Sequence, residues 1–147
     1  MSINTVEVQS PMIAAYLKGV ETADIRDIEA YYAPDVRLDV TLPEWRFSWR
    51  GRDKVIGWLK EAAGSFAGPI RFSEVRVFAT ENVLALQYEM HCNQKSEDGK
   101  MLRPAGFREF DIFVLRDGKV IEQIMHCTGC WDEAVFERIA REAPKAE

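Results

Sequence analysis

The chain is poor in features that would fix its class at once. It has three cysteines in 147 residues, Cys92, Cys127 and Cys130, too few and too clustered for the disulfide framework of a small secreted domain. No apolar run approaches the roughly 20 residues that a bilayer span needs. No basic start followed by an apolar block opens the chain, so no secretory signal is visible and a cytoplasmic location is the default expectation. Positive charge is also scarce: a net charge of -5 and a pI near 5.2 leave no footprint for a phosphate backbone, although Arg46, Arg50 and Arg52 cluster locally. Nucleic acid and membrane are therefore not expected partners. Repeats, linkers and low-complexity tracts are absent as well.

The three cysteines read best as buried, reduced thiols. Cys127-Thr128-Gly129-Cys130 has the C-x-x-C spacing of a redox motif, but it follows a strand instead of opening a helix. Cys92, His126, Cys127 and Cys130 could be imagined around zinc, yet the second paired motif that makes such a site specific is missing. Neither a metal nor an organic cofactor is expected.

What is present is periodicity, at 47% hydrophobic and 29% charged residues. Met12, Ala15, Tyr16, Gly19 and Val20 recur at helical spacing, and Asp24 can cap a second short helix that ends before Ala33-Pro34. Val36, Leu38, Val40 and Leu42 then alternate as a half-buried strand, with a short extended segment over Arg46 to Arg50. A third helix carries Val55, Ile56, Trp58, Leu59 and Ala62. Strands follow at about Ile70 to Phe78, Val83 to Cys92, Phe107 to Leu115 and Lys119 to Thr128, and a terminal helix is expected over about 132–143. Helices first and an antiparallel meander after them make an α+β fold in one domain, 1–147, with its core over about 8–131.

The meander carries polar side chains at every second position. Gln87, Glu89 and His91 share one strand face, Glu109 and Asp111 a face of the next, and Gln123 lies on the third. Two arrangements compete. Either this parity faces a cavity, where converging titratable groups serve proton transfer, or it faces water while Leu84, Leu86, Tyr88, Met90, Phe110 and Ile112 form the core. The hairpin at Asp117-Gly118 is equally open. A three-residue loop pairs Asp111 with Gln123, Glu109 with Met125 and Phe107 with Cys127, whereas a two-residue turn brings Ile124 and His126 to the acidic face.

The segments Tyr31-Tyr32-Ala33-Pro34-Asp35-Val36, Arg50-Gly51-Arg52-Asp53-Lys54-Val55 and Asp117-Gly118-Lys119-Val120, in this order and spacing, resemble the SnoaL-like, nuclear transport factor 2-like superfamily. The resemblance covers nearly the whole chain. It implies a cone-shaped, curved sheet wrapped round the N-terminal helices, a small-molecule pocket inside the cone, and a homodimer through the outer sheet face. Ala14-Ala15-Tyr16-Leu17 and Ala23-Asp24-Ile25 resemble the first helix of ketosteroid isomerase, which puts Tyr16 at an oxyanion-binding position and Asp111 at that of a carboxylic acid kept protonated. The base position of that isomerase coincides with Val40, and Asp39 beside it points to the wrong face. In limonene epoxide hydrolase the strand resembling Asn82 to His91 carries catalytic groups at Glu89 and His91, and Met125 stands at the third catalytic position.

The resemblance thus implies a small-molecule acid–base enzyme of isomerase, cyclase or dehydratase type acting on an apolar carbonyl compound. His91, oriented by Glu89, would be the base, facing Asp111 across the cone with Tyr16 above them. Val40, Trp45, Trp58, Phe107, Glu109, Gln123, Met125 and Cys127 would line the substrate site. A ligand-binding domain without chemistry and an epoxide or ester hydrolase are the rival expectations.

Overall fold

Ser10 starts the first helix by accepting a hydrogen bond from the Ile13 amide at 3.3 Å, with Pro11 in the first turn where no amide is needed. In the computed structural model, which describes residues 9–96, 98–129, 137 and 141, this helix, α1, spans Pro11–Thr22. It buries Met12, Ile13, Tyr16 and Gly19 along one stripe and ends at Ala23 in the left-handed region. A single turn, α2 (Arg26–Glu29), packs back on α1, where Gly19 allows the close approach: a Cβ there would stand 3.3 Å from Ile25.

The expected second helix is thus shorter than its periodicity suggests. The chain becomes extended already at Tyr32, and β1 runs Tyr32–Leu42. Pro34 fits inside it because the pairing with the last strand is interrupted between Tyr32 and Arg37, where no amide at Pro34 is required. A two-residue turn at Pro43-Glu44 leads to β2 (Trp45–Arg50), and α3 (Arg52–Gly64) follows. Four longer strands complete the fold: β3 (Phe66–Ala79), β4 (Val83–Lys95), β5 (Leu102–Arg116) and β6 (Lys119–Gly129). The helix expected over 132–143 lies outside the described residues, apart from Glu137 and Arg141, which are helical.

The six strands form one sheet in the order β2-β1-β6-β5-β4-β3, with β1 and β6 parallel and every other neighbouring pair antiparallel. This mixed sheet is curved and unclosed and wraps the helices, an α+β cone. Its inner face and the helices bury one core, including Val36, Leu38 and Val40 of β1, Leu86, Tyr88 and Met90 of β4, and Phe107 and Phe113 of β5. No helix among the described residues is long and apolar enough to cross a membrane.

Two registers decide which polar groups enter that core. Between β4 and β5, Leu86 pairs with Asp111, Tyr88 with Glu109 and Met90 with Phe107, so even positions of β4 share a face with odd positions of β5. Between β5 and β6, the turn holds two residues, Asp117 and Gly118, both at positive φ, as the tight hairpin demands. A bulge after the Leu115–Val120 pair then shifts the register, giving Asp111 opposite Met125, Glu109 opposite Cys127 and Phe107 opposite Gly129. The structure therefore combines the two-residue turn with the inward face that a three-residue loop would have produced, and the residue pairs match neither expectation. Gly129 is required where it stands, since a Cβ there would lie 2.1 Å from Cδ1 of Phe107.

Candidate functional site

Inside the cone, four strands and one helix bring together Tyr16, Tyr32, Tyr88, Glu109, Asp111 and Gln123, all buried. Gln123 sits at the centre. Its Oε1 accepts the Tyr32 hydroxyl at 2.6 Å, and its Nε2 donates to Asp111 Oδ1 at 3.1 Å and to the Tyr16 hydroxyl oxygen at 3.3 Å. Glu109 in turn is hydrogen bonded to Asp111, Tyr88 and Tyr16.

Two carboxyl groups in one dry site cannot both carry charge cheaply, and no Lys, Arg or His among the described residues forms an ion pair with either. Burial, then the charge of Glu109 beside it, pushes the Asp111 carboxyl well above its usual range. Burial also raises Glu109, against hydrogen bonds from Asp111, Tyr88 and Tyr16. Asp111 Oδ2 has no amide or hydroxyl donor among the described residues, and a proton on the pair, shared with Glu109, satisfies it. Asp111 is raised further than Glu109, which favours the shared proton on Asp111. The phenols of Tyr16, Tyr32 and Tyr88 are all raised, mainly by burial, and stay neutral donors.

Next to this network is a cavity with a free volume of about 30 Å³. A water needs about 10–15 Å³, so the cavity admits about two. Tyr16, Tyr88, Glu109 and Met125 form its inner wall, Trp58, Leu59, Ala62 and Ala63 of α3 one side, and Val20, Ile25, Ile28 and Phe66 the rest. Trp58 is the last member of an aromatic ladder running Trp45, Phe47, Trp49, Trp58, with ring centres 6.3, 5.5 and 5.5 Å apart.

The expected site residues divide between the two faces of the sheet. Tyr16, Trp58, Glu109 and Met125 line the cavity, with Asp111 and Gln123 directly behind them. Val40, Phe107 and Cys127 are buried on the same inner side, and Trp45 is half-buried at the outer end of the ladder. Glu89 and His91 are placed on the opposite face, which corrects the expectation that they meet Asp111 across the cone. Their strand buries Leu84, Leu86, Tyr88 and Met90, and turning it over would exchange that apolar surface for charge. Glu89 is held there by Arg108 at 3.2 Å, and the half-exposed His91 ring lies 3.9 Å from Glu89. His91 borders an open surface depression with Pro69, Arg71, Asn93 and Pro104.

Tyr32 and Tyr88 were not among the expected site residues. Tyr88 was legible as a member of the apolar parity of β4, while Tyr32 is hidden by the helical pattern that precedes it. Burial pushes the Cys92 thiol up to about 11, the opposite of an activated thiolate, and Cys130, the second half of the C-x-x-C spacing, lies outside the described residues. Among the described residues no three His, Cys, Asp or Glu side chains are grouped so as to hold a metal ion.

A family model described as a SnoaL-like domain matches residues 13–123. No curated protein matches the sequence at a significant level. Among solved structures, an NTF2-like protein from Anabaena variabilis is similar with a TM-score of 0.67 at 15% identity, over 82% of this chain and 85% of that one. A candidate SnoaL-like polyketide cyclase from Shewanella denitrificans gives 0.63 at 12% identity over 89% and 95%. A ketosteroid isomerase-like protein from Erwinia carotovora gives 0.60 at 14% identity over 86% and 98%. At these identities the likeness is one of fold.

Proposed function

The chain belongs to the SnoaL-like domain family, and from that premise we propose that it is a cofactor-independent acid–base enzyme of the isomerase, cyclase or dehydratase type. Its substrate is an apolar, carbonyl-containing small molecule held in the cone. The observation that carries this reading is Glu109: a carboxyl of raised pKa, backed by a second carboxyl, at the wall of an otherwise apolar cavity.

In this mechanism the Glu109 carboxylate takes a proton from the carbon next to the substrate carbonyl. The C–H electron pair moves to the carbonyl oxygen, and the Tyr16 hydroxyl turns from Glu109 to donate to the oxyanion. Asp111 keeps its own proton and donates a hydrogen bond through it to Glu109, which limits the charge in the site to one. Return of the proton from Glu109 to another carbon completes an isomerisation. A ring-sized substrate requires the cavity to widen, because its free volume of about 30 Å³ has room for only about two waters.

Deuterium uptake from heavy water into a panel of enolisable ketones tests the reading. Wild type and His91→Ala are expected to exchange at equal rates on the best ketone, and Glu109→Gln to lose at least about a hundredfold. Equal rates in wild type and Glu109→Gln would reject Glu109 as the base. The carboxyls' commitment to each other also favours a second reading, a binding domain without chemistry. Stabilisation by a ketone with no exchange on any member of the panel would select it.

A further inference from the structure

We infer that the indole N–H of Trp58 is the donor that receives the carbonyl oxygen of an uncharged ligand at the α3 wall of the cavity. Trp58 is 5% exposed, lines the cavity, and its Nε1 finds no acceptor among the described residues. Buried indole donors in folded proteins are almost always paired, so an unpaired one beside a cavity marks a place that a bound molecule completes.

The rest of the lining defines that molecule. Before a ligand enters, Tyr16 and Tyr88 are each hydrogen bonded to Glu109, and the remaining described lining side chains apart from Trp58 are apolar. With no cation among the described lining residues and a carboxyl at the inner wall, an anion is repelled. A carbonyl oxygen accepts the indole proton without bringing a donor of its own, which Glu109, with three partners, has little capacity to receive. A compact ketone or aldehyde on an aromatic or alicyclic ring meets these chemical terms, and its binding requires the same widening of the cavity as any ring-sized substrate. The indole is preorganised for it, since Trp49 packs against it at 5.5 Å and the ladder on β2 fixes its plane. This assignment deepens the reading above and rests on it in taking the cone as the ligand site.

The test is NMR of the nitrogen-15-labelled indoles with two isosteric probes, acetophenone and α-methylstyrene, in which C=O is replaced by C=CH₂. Trp58→Phe identifies the resonance; should that variant not fold, nuclear Overhauser contacts to Leu59 do so. The Trp58 indole proton is expected to move downfield with acetophenone and not with α-methylstyrene, and Trp58→Phe to bind acetophenone about fivefold more weakly while α-methylstyrene binds within twofold of wild type. Equal shifts with both probes, an unchanged acetophenone affinity in Trp58→Phe, or no binding of acetophenone would overturn the assignment and leave the N–H to an internal water. Deuterium uptake into the acetophenone methyl group is followed in the same samples. A ketone-specific indole shift without exchange keeps the donor and sinks the base, and exchange without the shift does the reverse.

Discussion

Replacing Asp111 with asparagine puts the buried carboxyl pair under direct test. Asp111 is fully buried and its carboxyl is raised well above the usual value, chiefly by burial and then by Glu109. An unfolded chain ionises it near the ordinary value of about 4. Between that value and the raised one, the folded chain binds one proton more than the unfolded chain, so stability falls as pH rises. Each pH unit inside this window costs the wild type about 1.4 kcal/mol. Asparagine imitates the protonated acid at every pH: it keeps a donor toward Glu109 and cannot ionise. Urea unfolding from pH 5 to 7 should therefore show wild type and Asp111→Asn within about 1 kcal/mol at the acid end. Over the two pH units the variant should gain steadily on the wild type, by at most about 3 kcal/mol, the limit for one proton held by the fold across the whole range, and should melt higher than the wild type at the upper end. Titrating groups that do not touch Asp111 cancel in the difference. Parallel profiles, or a wild type that gains on the variant as pH rises, would mean that Asp111 is ionised in the fold and would refute the shared proton.

Gly129→Ala should destabilise the fold by about 1–3 kcal/mol in urea unfolding, because the new methyl meets the Phe107 ring, and Phe107→Leu in the same chain should recover part of the loss. The outer face of the sheet carries Phe110, 37% exposed, beside half-buried Ile112, Val114 and Ile124, and a second copy of the chain is the expected cover. Phe110→Asp should then lower the mass seen by light scattering to that of one chain without loss of helix or sheet in circular dichroism, while a wild type that is already monomeric removes the expectation.

Most of the fold was legible because its strands are half-buried: the alternation of Val36, Leu38, Val40 and Leu42 allows one orientation, and that is the one observed. The strand carrying Glu89 and His91 shows where alternation stops being enough. It has an apolar set and a polar set of equal length, and either can face a polar cavity when the cavity is lined by carboxyls on the next strand. Register settles it, and register depends on the loop over 96–101, whose geometry no periodicity encodes. As a result the polar positions of β5 face inward and those of β4 outward, a split that neither a uniform pocket face nor a uniform solvent face describes. The last hairpin is similar: Asp117-Gly118 announces a tight turn, but the bulge that follows, and with it the inward placement of Gln123, has no local signal of its own. Glu109 therefore stands at the cavity wall beside Asp111, and His91 lies on the other face of the sheet.

The central claim is that Glu109 and Asp111 hold one proton between them inside the cone. Carbon-13 NMR of the two labelled side-chain carboxyls between about pH 5 and 8 measures this directly. The account predicts that Asp111 keeps the shift of a protonated acid throughout and that only one negative charge resides on the pair. Two carboxylate shifts at the acid end of that range would contradict it.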